Sequence, residues 1–371
     1  MFLIILWSNA RKYQDTILAD MQTRFANVKT FEITWSEQFL ESNFSRFFEK
    51  SICRSEIEKK YGSDAFVVCI VEGNQTKISD AICRYKKIIG STDAVYAAMS
   101  HKQVNRDITL LFGKNIEDLK QEENYKSAEL VRIKKDLEGA SKWDNLAQLF
   151  YVLNNSINYV VLRNYEKLPN DFDPSIHGDI DLLVEDLGKI LWSTNAFKMF
   201  PEKKTSVAYY VPFCSGNIQF DFRYLGDNYL DKKWERDILR SARRYTPPRY
   251  SDSFVIMSPV NQYFTLLYHA YVQKWKIASD YPNKLRQFAE KIGATYKDDP
   301  KYSMLQLYDF MNEQNYHVSI PSEKEGTLNW QNIKYTDEYL IVRLKYFFTR
   351  ELWFYVGKVP KKLKKILSKS F

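Results

Sequence analysis

The sequence predicts an α/β N-terminal domain, an α+β second domain and a helical C-terminal extension. Short apolar runs between polar turns indicate strands, and Phe2–Trp7 and Ala65–Val71 are continuous enough for buried strands. After Pro259 the apolar residues recur at helical spacing, which indicates a mostly helical chain from there to the C-terminus. With 371 residues, 45% of them hydrophobic, the chain is long enough for two packed domains.

Residues 1–117 are predicted to form the N-terminal α/β domain. Val28–Trp35 alternates between apolar and polar residues, as a half-buried strand does. A further apolar run, Ile108–Phe112, is also predicted to be a strand, and Gly113 ends it. The charge-dense segment 118–142 is predicted to be an exposed helix that links the two domains.

Residues 143–300 are predicted to form the second domain, and residues 301–371 the helical extension. A helical pattern after Trp143 leads into an apolar strand, Tyr159–Leu162. Three further strands are predicted downstream, and the last two are joined by a Ser-Gly-Asn turn that is typical of a hairpin. These strands are Ile180–Val184, Val207–Val211 and Ile218–Tyr224.

Six lysines in the last fourteen residues account for most of the net charge of +8. Without them the net charge falls from +8 to +2, and a nearly neutral body argues against a nucleic-acid-binding face. Four apolar residues of the same segment share one helical face, so residues 358–371 fit a basic amphipathic helix on an anionic membrane surface. A disordered solubilising tail is the alternative. The lysines are Lys358, Lys361, Lys362, Lys364, Lys365 and Lys369, and the apolar residues are Leu363, Ile366, Leu367 and Phe371.

The sequence predicts a cytoplasmic protein. No segment has the length and continuous apolarity of a signal peptide or a membrane span. The four cysteines lack metal-binding spacing, and their number does not indicate a disulfide framework in a chain this long. If the basic tail binds lipid, the protein would be peripheral on the inner face of the membrane.

The segment from His177 to Val184 carries the clearest chemical pattern in the chain. Because side chains alternate along a strand, Asp179 and Asp181 would project from one face, about 7 Å apart. Two carboxylates at this spacing repel each other unless a positive charge lies between them. Mg²⁺ (or Mn²⁺) would satisfy both, since these ions prefer oxygen ligands. A solvated acidic turn at the end of a strand is the alternative for such a pair.

A third acid, Asp221, lies in the middle of the predicted strand Ile218–Tyr224. Aspartate is disfavoured inside a strand and is costly to bury without a partner. If this strand lies beside the one that carries Asp179 and Asp181, Asp221 completes a cluster of three carboxylates. Such a cluster suits in-line transfer at phosphorus, where metal ions hold the attacking and leaving oxygens.

The strand Tyr159–Leu162 with its following turn, the segment His177–Val184 and the strand around Asp221 together resemble the nucleotidyltransferase superfamily. That superfamily combines a glycine turn that opens a helix with a strand bearing two acids and a later strand bearing one. The resemblance is closest to nucleotidyltransferase-like proteins of bacterial surface-polysaccharide gene clusters. It extends more distantly to the LicD/fukutin phosphotransferases and covers less than half of the chain.

The resemblance implies a nucleotidyltransferase fold for the second domain, with Asp179, Asp181 and Asp221 as catalytic, metal-binding residues. It further implies Mg²⁺-dependent transfer of a nucleotidyl or substituted phosphoryl group from a nucleotide-activated donor to a hydroxyl. The acceptor would be a glycan or lipid-linked glycan in bacterial surface-polysaccharide biosynthesis. Two other functions stay open: a catalytically inactive binding or scaffold protein with this fold, and a toxin-type nucleotidyltransferase that modifies RNA or protein.

Four further residues are candidates for binding the phosphates of the donor. Arg163 and Asn164 stand where the superfamily usually has a glycine pair, and the Arg163 guanidinium would bind phosphate in place of the backbone. Lys274, on the helix after the sheet, would bind donor phosphates, and the alternative is a solvated helix face. His177 is a candidate because it lies beside the acid pair.

Overall fold

The computed structural model of the protein describes residues 1–122, 130–176, 178–322 and 327–351. It has two sheets and many helices, which confirms the prediction of mixed α/β structure. The chain forms two compact units. The first comprises Met1–Phe200, Ala208–Phe222 and Arg244–Val255, and the second comprises Pro201–Val207, Arg223–Arg243 and the described part of Ile256–Phe371. The predicted domain limits at residues 117, 142 and 300 stay predictions.

The first sheet has five strands in the order β4-β1-β3-β2-β5. Strands β2 and β5 run parallel, whereas β1 pairs antiparallel with β3 and β4, and β2 pairs antiparallel with β3. The predicted strands Phe2–Trp7, Val28–Trp35 and Ala65–Val71 are confirmed to within two residues at each end. The five strands are β1 (Phe2–Leu6), β2 (Ala26–Thr34), β3 (Phe66–Glu72), β4 (Val95–Ala98) and β5 (Val131–Lys134).

Two sequence predictions in this part of the chain are wrong. Ile108–Phe112 belongs to a helix, His101–Phe112, that is capped by Ser100 and ends at Gly113 in the left-handed conformation. Its last six residues are all buried, and a buried helix segment shows the same continuous apolar run as a buried strand. The segment 118–142 is predicted to be one helix, but it contains strand β5. The exposed charged side chains of β5 suit a sheet edge. Residues 123–129 lie outside the described part of the chain.

The helices of the first unit cover the two sheets and bury an aromatic core. The ring of Trp7, fully buried at the end of β1, lies 4.8 Å from the ring of Phe66 and 5.1 Å from that of Phe44. The described helices are α1 (Gln14–Arg24), α2 (Leu40–Phe47), α3 (Arg54–Lys60), α4 (Gln75–Ile89), α5 (His101–Phe112), α6 (Ile116–Lys120), α7 (Leu146–Ser156) and α8 (Leu187–Thr194), with 3-10 turns at Ser8–Tyr13 and Glu37–Phe39.

The second sheet has seven strands in the order β11-β12-β6-β7-β10-β9-β8. Strand β7 therefore lies between β6 and β10, and the predicted β9–β10 hairpin is confirmed by the antiparallel register of Gly216 opposite Phe213. The strands are β6 (Tyr159–Val161), β7 (Asp179–Val184), β8 (Phe197–Lys198), β9 (Ala208–Phe213), β10 (Gly216–Tyr224), β11 (Arg243–Tyr245) and β12 (Phe254–Ile256).

The second unit is mainly helical, as the spacing after Pro259 predicts. Helix α10 begins at Pro259 because Ser258 caps it and proline is favourable in the first turn. Stacked rings fill the core, with Phe264 on Phe310 at 3.8 Å and Trp234 on Tyr316 at 5.2 Å. The helices are α9 (Lys232–Ser241), α10 (Pro259–Leu267), α11 (Tyr281–Lys291), α12 (Pro300–Gln314), α13 (Trp330–Ile333) and α14 (Tyr339–Tyr346), with π-helical segments at Tyr268–Gln273 and Phe347–Glu351. Among the described residues, no helix has both the length and the apolarity needed to cross a membrane.

A buried guanidinium links α2 to α8 and to the loop that follows β5. Arg46 of α2 is 2% exposed and donates hydrogen bonds to the carbonyls of Trp192, Ser193 and Glu138 at 3.0, 3.0 and 2.7 Å. Two of these carbonyls belong to the last turn of α8, where a cation also stabilises the helix dipole. Burial lowers the pKa of Arg46 to about 10, so the side chain is still charged at neutral pH.

Replacing Arg46 should destabilise the protein strongly. The variant Arg46→Met keeps most of the side-chain volume but leaves three buried carbonyls without their donor. We expect the free energy of unfolding to fall by about 3–5 kcal/mol in urea denaturation followed by circular dichroism. Arg54→Met is the matched control, because Arg54 forms only surface ion pairs with Glu37 and Glu58 and should cost less than about 1 kcal/mol. Equal losses in the two variants would contradict this role of Arg46.

Candidate metal site

Strand β7 carries the predicted acid pair at its N-terminal end. Asp179 is its first residue and is half-buried, whereas Asp181 is buried. Since side chains alternate along the strand, Ile180 projects from the opposite face, where it is also buried. The interpretation that both carboxylates project from one face is therefore supported by the strand that the structure places here.

Strand β10, the neighbour of β7, supplies the third acid. Ile218, Phe220 and Phe222 are buried on one face of β10, so Asp221 projects from the other. The residue opposite Asp221 on β9 is Ala208, whose small side chain leaves room beside the carboxylate. The apolar alternation that makes β10 a strand thus also fixes the face on which its acid lies.

The three aspartates form one cluster. An oxygen of Asp179, one of Asp181 and one of Asp221 all lie within 4.8 Å of one another. This confirms the predicted proximity of the three residues. Octahedral Mg²⁺ at about 2.1 Å from each ligand keeps two of its oxygens at most about 4.2 Å apart. The cluster could therefore hold a divalent ion after side-chain movements of less than about 1 Å.

Arg163 forms a bidentate ion pair with Asp181. Its Nε donates to Oδ2 at 2.8 Å and its Nη2 to Oδ1 at 2.7 Å. Antiparallel pairing of β6 with β7 sets this contact, because the N–H of Leu162 donates to the carbonyl of Asp181 and Arg163 follows directly. The Asp181 side chain is 3% exposed and that of Arg163 is 20% exposed. A guanidinium thus supplies positive charge at a residue predicted to bind metal.

Asn164 keeps the backbone conformation that a glycine would adopt at this turn. Its φ is +57°, in the left-handed region that glycine enters freely and asparagine tolerates better than most residues. A glycine at residue 164 could therefore adopt the same backbone conformation. The predicted role of Asn164 in binding phosphate stays a prediction.

The structure does not test the roles predicted for Lys274 and His177. Lys274 is exposed in the second unit, directly after the π-helical segment Tyr268–Gln273. His177 lies outside the described residues, so both roles stay predictions. His269 is buried, and its Nδ1 lies 3.2 Å from the Tyr229 hydroxyl and 2.9 Å from Oε1 of Gln273, as expected of a packed histidine.

Sequence reasoning missed the pairing of Arg163 with Asp181. The two residues are eighteen positions apart, and only the register between β6 and β7 brings them together. The available signal was the pair of neighbouring strands: once they are aligned antiparallel, the residues that follow β6 lie beside the start of β7. A basic residue at that point is then expected to contact the acids.

A polar cavity of about 480 Å³ lies at another part of the first unit. Arg106 in its wall donates to the carbonyl of Phe47 and forms ion pairs with Glu49 and Asp107 at 3.1 and 2.7 Å. Burial raises the pKa of Asp107 to about 6, although the Arg106 guanidinium opposes the rise. Arg106, Glu49 and Asp107 thus form an internal ion-pair network.

Neither a scan against protein-family models nor a search of curated proteins finds a match to this chain. Among solved structures, an antigenic nucleotidyltransferase-like protein from Paracoccidioides brasiliensis is similar to it, with 16% sequence identity and a TM-score of 0.27. The similarity covers 46% of this chain and 87% of that protein. A TM-score this low does not establish a shared fold, so the chemistry of the site follows from its own residues.

Neutralising Asp181 should destabilise the metal-free protein. In Asp181→Asn the charge-assisted bidentate pair with Arg163 is lost, which costs about 1.5–3 kcal/mol, while repulsion within the cluster decreases. We expect the first effect to dominate, because Asp181 is nearly fully buried against the guanidinium. Thermal denaturation in EDTA should therefore give a lower melting temperature than for the wild type.

The matched control for this experiment is Asp80→Asn, which removes an exposed acid from α4 and should leave the melting temperature nearly unchanged. A higher melting temperature for Asp181→Asn would show instead that repulsion among the aspartates outweighs the ion pair.

Proposed function

We propose that the protein is a transferase that depends on Mg²⁺ (or Mn²⁺) and moves a nucleotidyl or substituted phosphoryl group from a nucleotide-activated donor to a hydroxyl. The observation that carries this proposal is the cluster of Asp179, Asp181 and Asp221 on two adjacent strands. Three oxygen ligands of this kind suit a hard divalent ion that also binds substrate phosphates. The nucleotidyltransferase fold of residues 143–300 is part of the proposal.

In the proposed reaction, Asp179 and Asp181 would hold the ion, and Asp221 would be a further ligand of it. When bound, the ion neutralises charge on the transferred phosphoryl group. Asp221 accepts the proton of the acceptor hydroxyl, whose oxygen forms a new bond to phosphorus while the bond to the leaving phosphate of the donor breaks. Phosphate binding by Arg163, Asn164, His177 and Lys274 orients the donor for in-line attack.

The proposed acceptor is a glycan or lipid-linked glycan of bacterial surface-polysaccharide biosynthesis, and the proposed location is the cytoplasmic face of the membrane. Both rest on the resemblance of residues 143–300 to proteins of surface-polysaccharide gene clusters. The nearly neutral body argues against RNA as the acceptor, because RNA-binding proteins rely on basic surfaces.

One observation favours a second candidate function, a nucleotide-binding protein without catalysis. The bidentate contact of Arg163 with Asp181 places a guanidinium where the proposed reaction requires a metal ligand. If the contact is permanent, the site could bind a nucleotide phosphate but could not bind the metal ion that the proposed reaction requires. The two functions differ in their metal dependence, and binding experiments separate them.

Loss of an aspartate from the cluster should abolish turnover without unfolding the protein. A thermal-shift panel of nucleotides and of nucleotide-activated sugars and polyols, each with and without Mg²⁺, first identifies the donor. With that donor, Asp179→Asn and Asp221→Asn should each lower kcat by about 10²-fold or more, because each removes a metal ligand from the transition state. Turnover is measured by mass spectrometry of the product, and circular dichroism confirms folding.

The control variant Asp80→Asn should retain wild-type turnover. Undiminished turnover in either cluster variant would overturn the proposed reaction. Stabilisation by a nucleotide that is independent of Mg²⁺, together with no product from any donor, would support the binding protein instead.

We further propose that the C-terminal part of the chain binds an anionic membrane surface. Residues 358–371 lie outside the described part of the chain, but α14 before them exposes Leu340, Ile341 and Leu344. These three residues fall within a 100° arc of the helix and form one apolar face. An exposed apolar face next to six lysines suits an anionic lipid surface.

Deleting residues 358–371 should weaken binding to phosphatidylglycerol vesicles. Each lysine near an anionic surface contributes about 1 kcal/mol, so six could contribute several kcal/mol. Binding of the full chain in co-sedimentation should fall steeply with ionic strength, because this attraction is screened by salt. Equal sedimentation of the full and truncated chains would contradict a role for the tail.

The apolar contribution is tested separately with Leu344→Ser on α14. Its matched control is Leu305→Ser, which removes an exposed leucine from α12. Only the substitution on α14 should reduce the binding that survives at high salt, because burial of apolar side chains in the lipid is insensitive to ionic strength.

A further inference from the structure

We infer that Arg163 is a latch on the metal site: it occupies Asp181 until the phosphates of the donor draw its guanidinium away, so that donor and metal ion bind together. This inference rests on the proposed function and concerns the regulation of the same site. It assigns Arg163 two successive partners, the carboxylate of Asp181 and the phosphate of the donor.

The closed position of the latch follows from the geometry of the ion pair. Both oxygens of Asp181 accept a hydrogen bond from Arg163, at 2.8 and 2.7 Å, which is the parallel two-bond arrangement of arginine with a carboxylate. The guanidinium cancels the charge that would attract a cation, and a divalent ion on the same carboxylate would be repelled by it. Asp181 is therefore a poor metal ligand while the pair is closed.

Burial strengthens this effect. The Asp181 side chain is 3% exposed, so water screens its pairing with Arg163 only weakly. Asp179 and Asp221 have an oxygen within 4.8 Å of the paired carboxylate, so the field of the guanidinium extends over the whole cluster. The latch thus lowers the affinity of all three aspartates for a metal ion.

Release of the latch is possible because Arg163 lies beyond the end of β6. The N–H of Leu162 bonds the carbonyl of Asp181 on β7, and rotation of the Arg163 side chain leaves this backbone bond intact. The side chain is 20% exposed and is accessible to a ligand from solvent. Asn164, the next residue, has the left-handed conformation.

A phosphate can compete for the latch because it offers the same geometry as a carboxylate. Two oxygens of a phosphoryl group can accept two parallel hydrogen bonds from arginine, as the two oxygens of a carboxylate do. A diphosphate also carries more negative charge than one aspartate. Once Arg163 turns to the phosphate, the negative charge of Asp181 is no longer neutralised, and Asp179, Asp181 and Asp221 could together hold a divalent ion. Metal binding and donor binding are then positively coupled.

The coupling is measured by equilibrium dialysis of Mn²⁺ against the full chain, with and without inorganic pyrophosphate. Mn²⁺ and its pyrophosphate complex cross the membrane freely, so the excess on the protein side reports only protein-bound ion. Without pyrophosphate, Arg163→Gln should bind Mn²⁺ at least about 10-fold more tightly than the wild type. Pyrophosphate should raise the affinity of the wild type by a similar factor and that of Arg163→Gln much less.

Arg163→Lys is the matched variant, since it keeps the charge and loses the two-bond fork. It should bind Mn²⁺ weakly without pyrophosphate, as the wild type does. Arg163→Ala, which also removes the charge, takes the place of Arg163→Gln if that variant does not fold. Circular dichroism checks the folding of both variants. A tighter binding of Arg163→Lys than of the wild type would indicate that the fork, and not only the charge, keeps the site closed.

Two results would overturn the latch without affecting the proposed function. Equal Mn²⁺ affinity of the wild type and both variants would show that Arg163 does not oppose the metal ion. Tight binding by Arg163→Gln together with no effect of pyrophosphate on the wild type would mean that the arginine replaces the ion permanently. By contrast, no Mn²⁺ binding by any variant, or unchanged binding in Asp179→Asn, would contradict the metal site itself.

Discussion

Repulsion among three carboxylates constrains the centre of the second sheet. Asp179, Asp181 and Asp221 are brought together because β7 and β10 are neighbours whose other faces must bury isoleucine and phenylalanine side chains. Packing therefore forces the acids onto one face, and their mutual repulsion must be offset by positive charge. Arg163 provides part of that charge. One alternating sequence pattern thus determines both which side chains are buried in the sheet and which face carries the charged site.

The scaffold around the site depends on a second cation in a different environment. Arg46 is bound by backbone carbonyls of Trp192, Ser193 and Glu138, so its partners are fixed parts of the main chain. Helix α8 follows β7 after only two residues, and Arg46 holds the far end of that helix. The protein thus uses one arginine that is fully buried for rigidity and another that is partly exposed for contact with charged groups.

The part of the site that was predictable from the sequence is the part encoded by periodicity. Alternation placed Asp179, Asp181 and Asp221 on strands, and the apolar positions fixed their faces. What alternation does not contain is register, so the contact of Arg163 with Asp181 could not be predicted from spacing alone. Local composition also gave two wrong predictions. At Ile108–Phe112 a buried helix has the apolar run expected of a strand. Over 118–142 the charged residues of the edge strand β5 resemble those of an exposed helix.

The left-handed conformation of Asn164 has an evolutionary consequence. A turn that already follows the backbone path of glycine can exchange its side chains without any change in the strands that flank it. Substitutions at residues 163 and 164 could therefore exchange arginine for glycine, or the reverse, while the backbone path is kept and only the ion pair with Asp181 is lost. Members of one lineage could in this way acquire or lose a charged residue beside the acids while the rest of the sheet drifts independently.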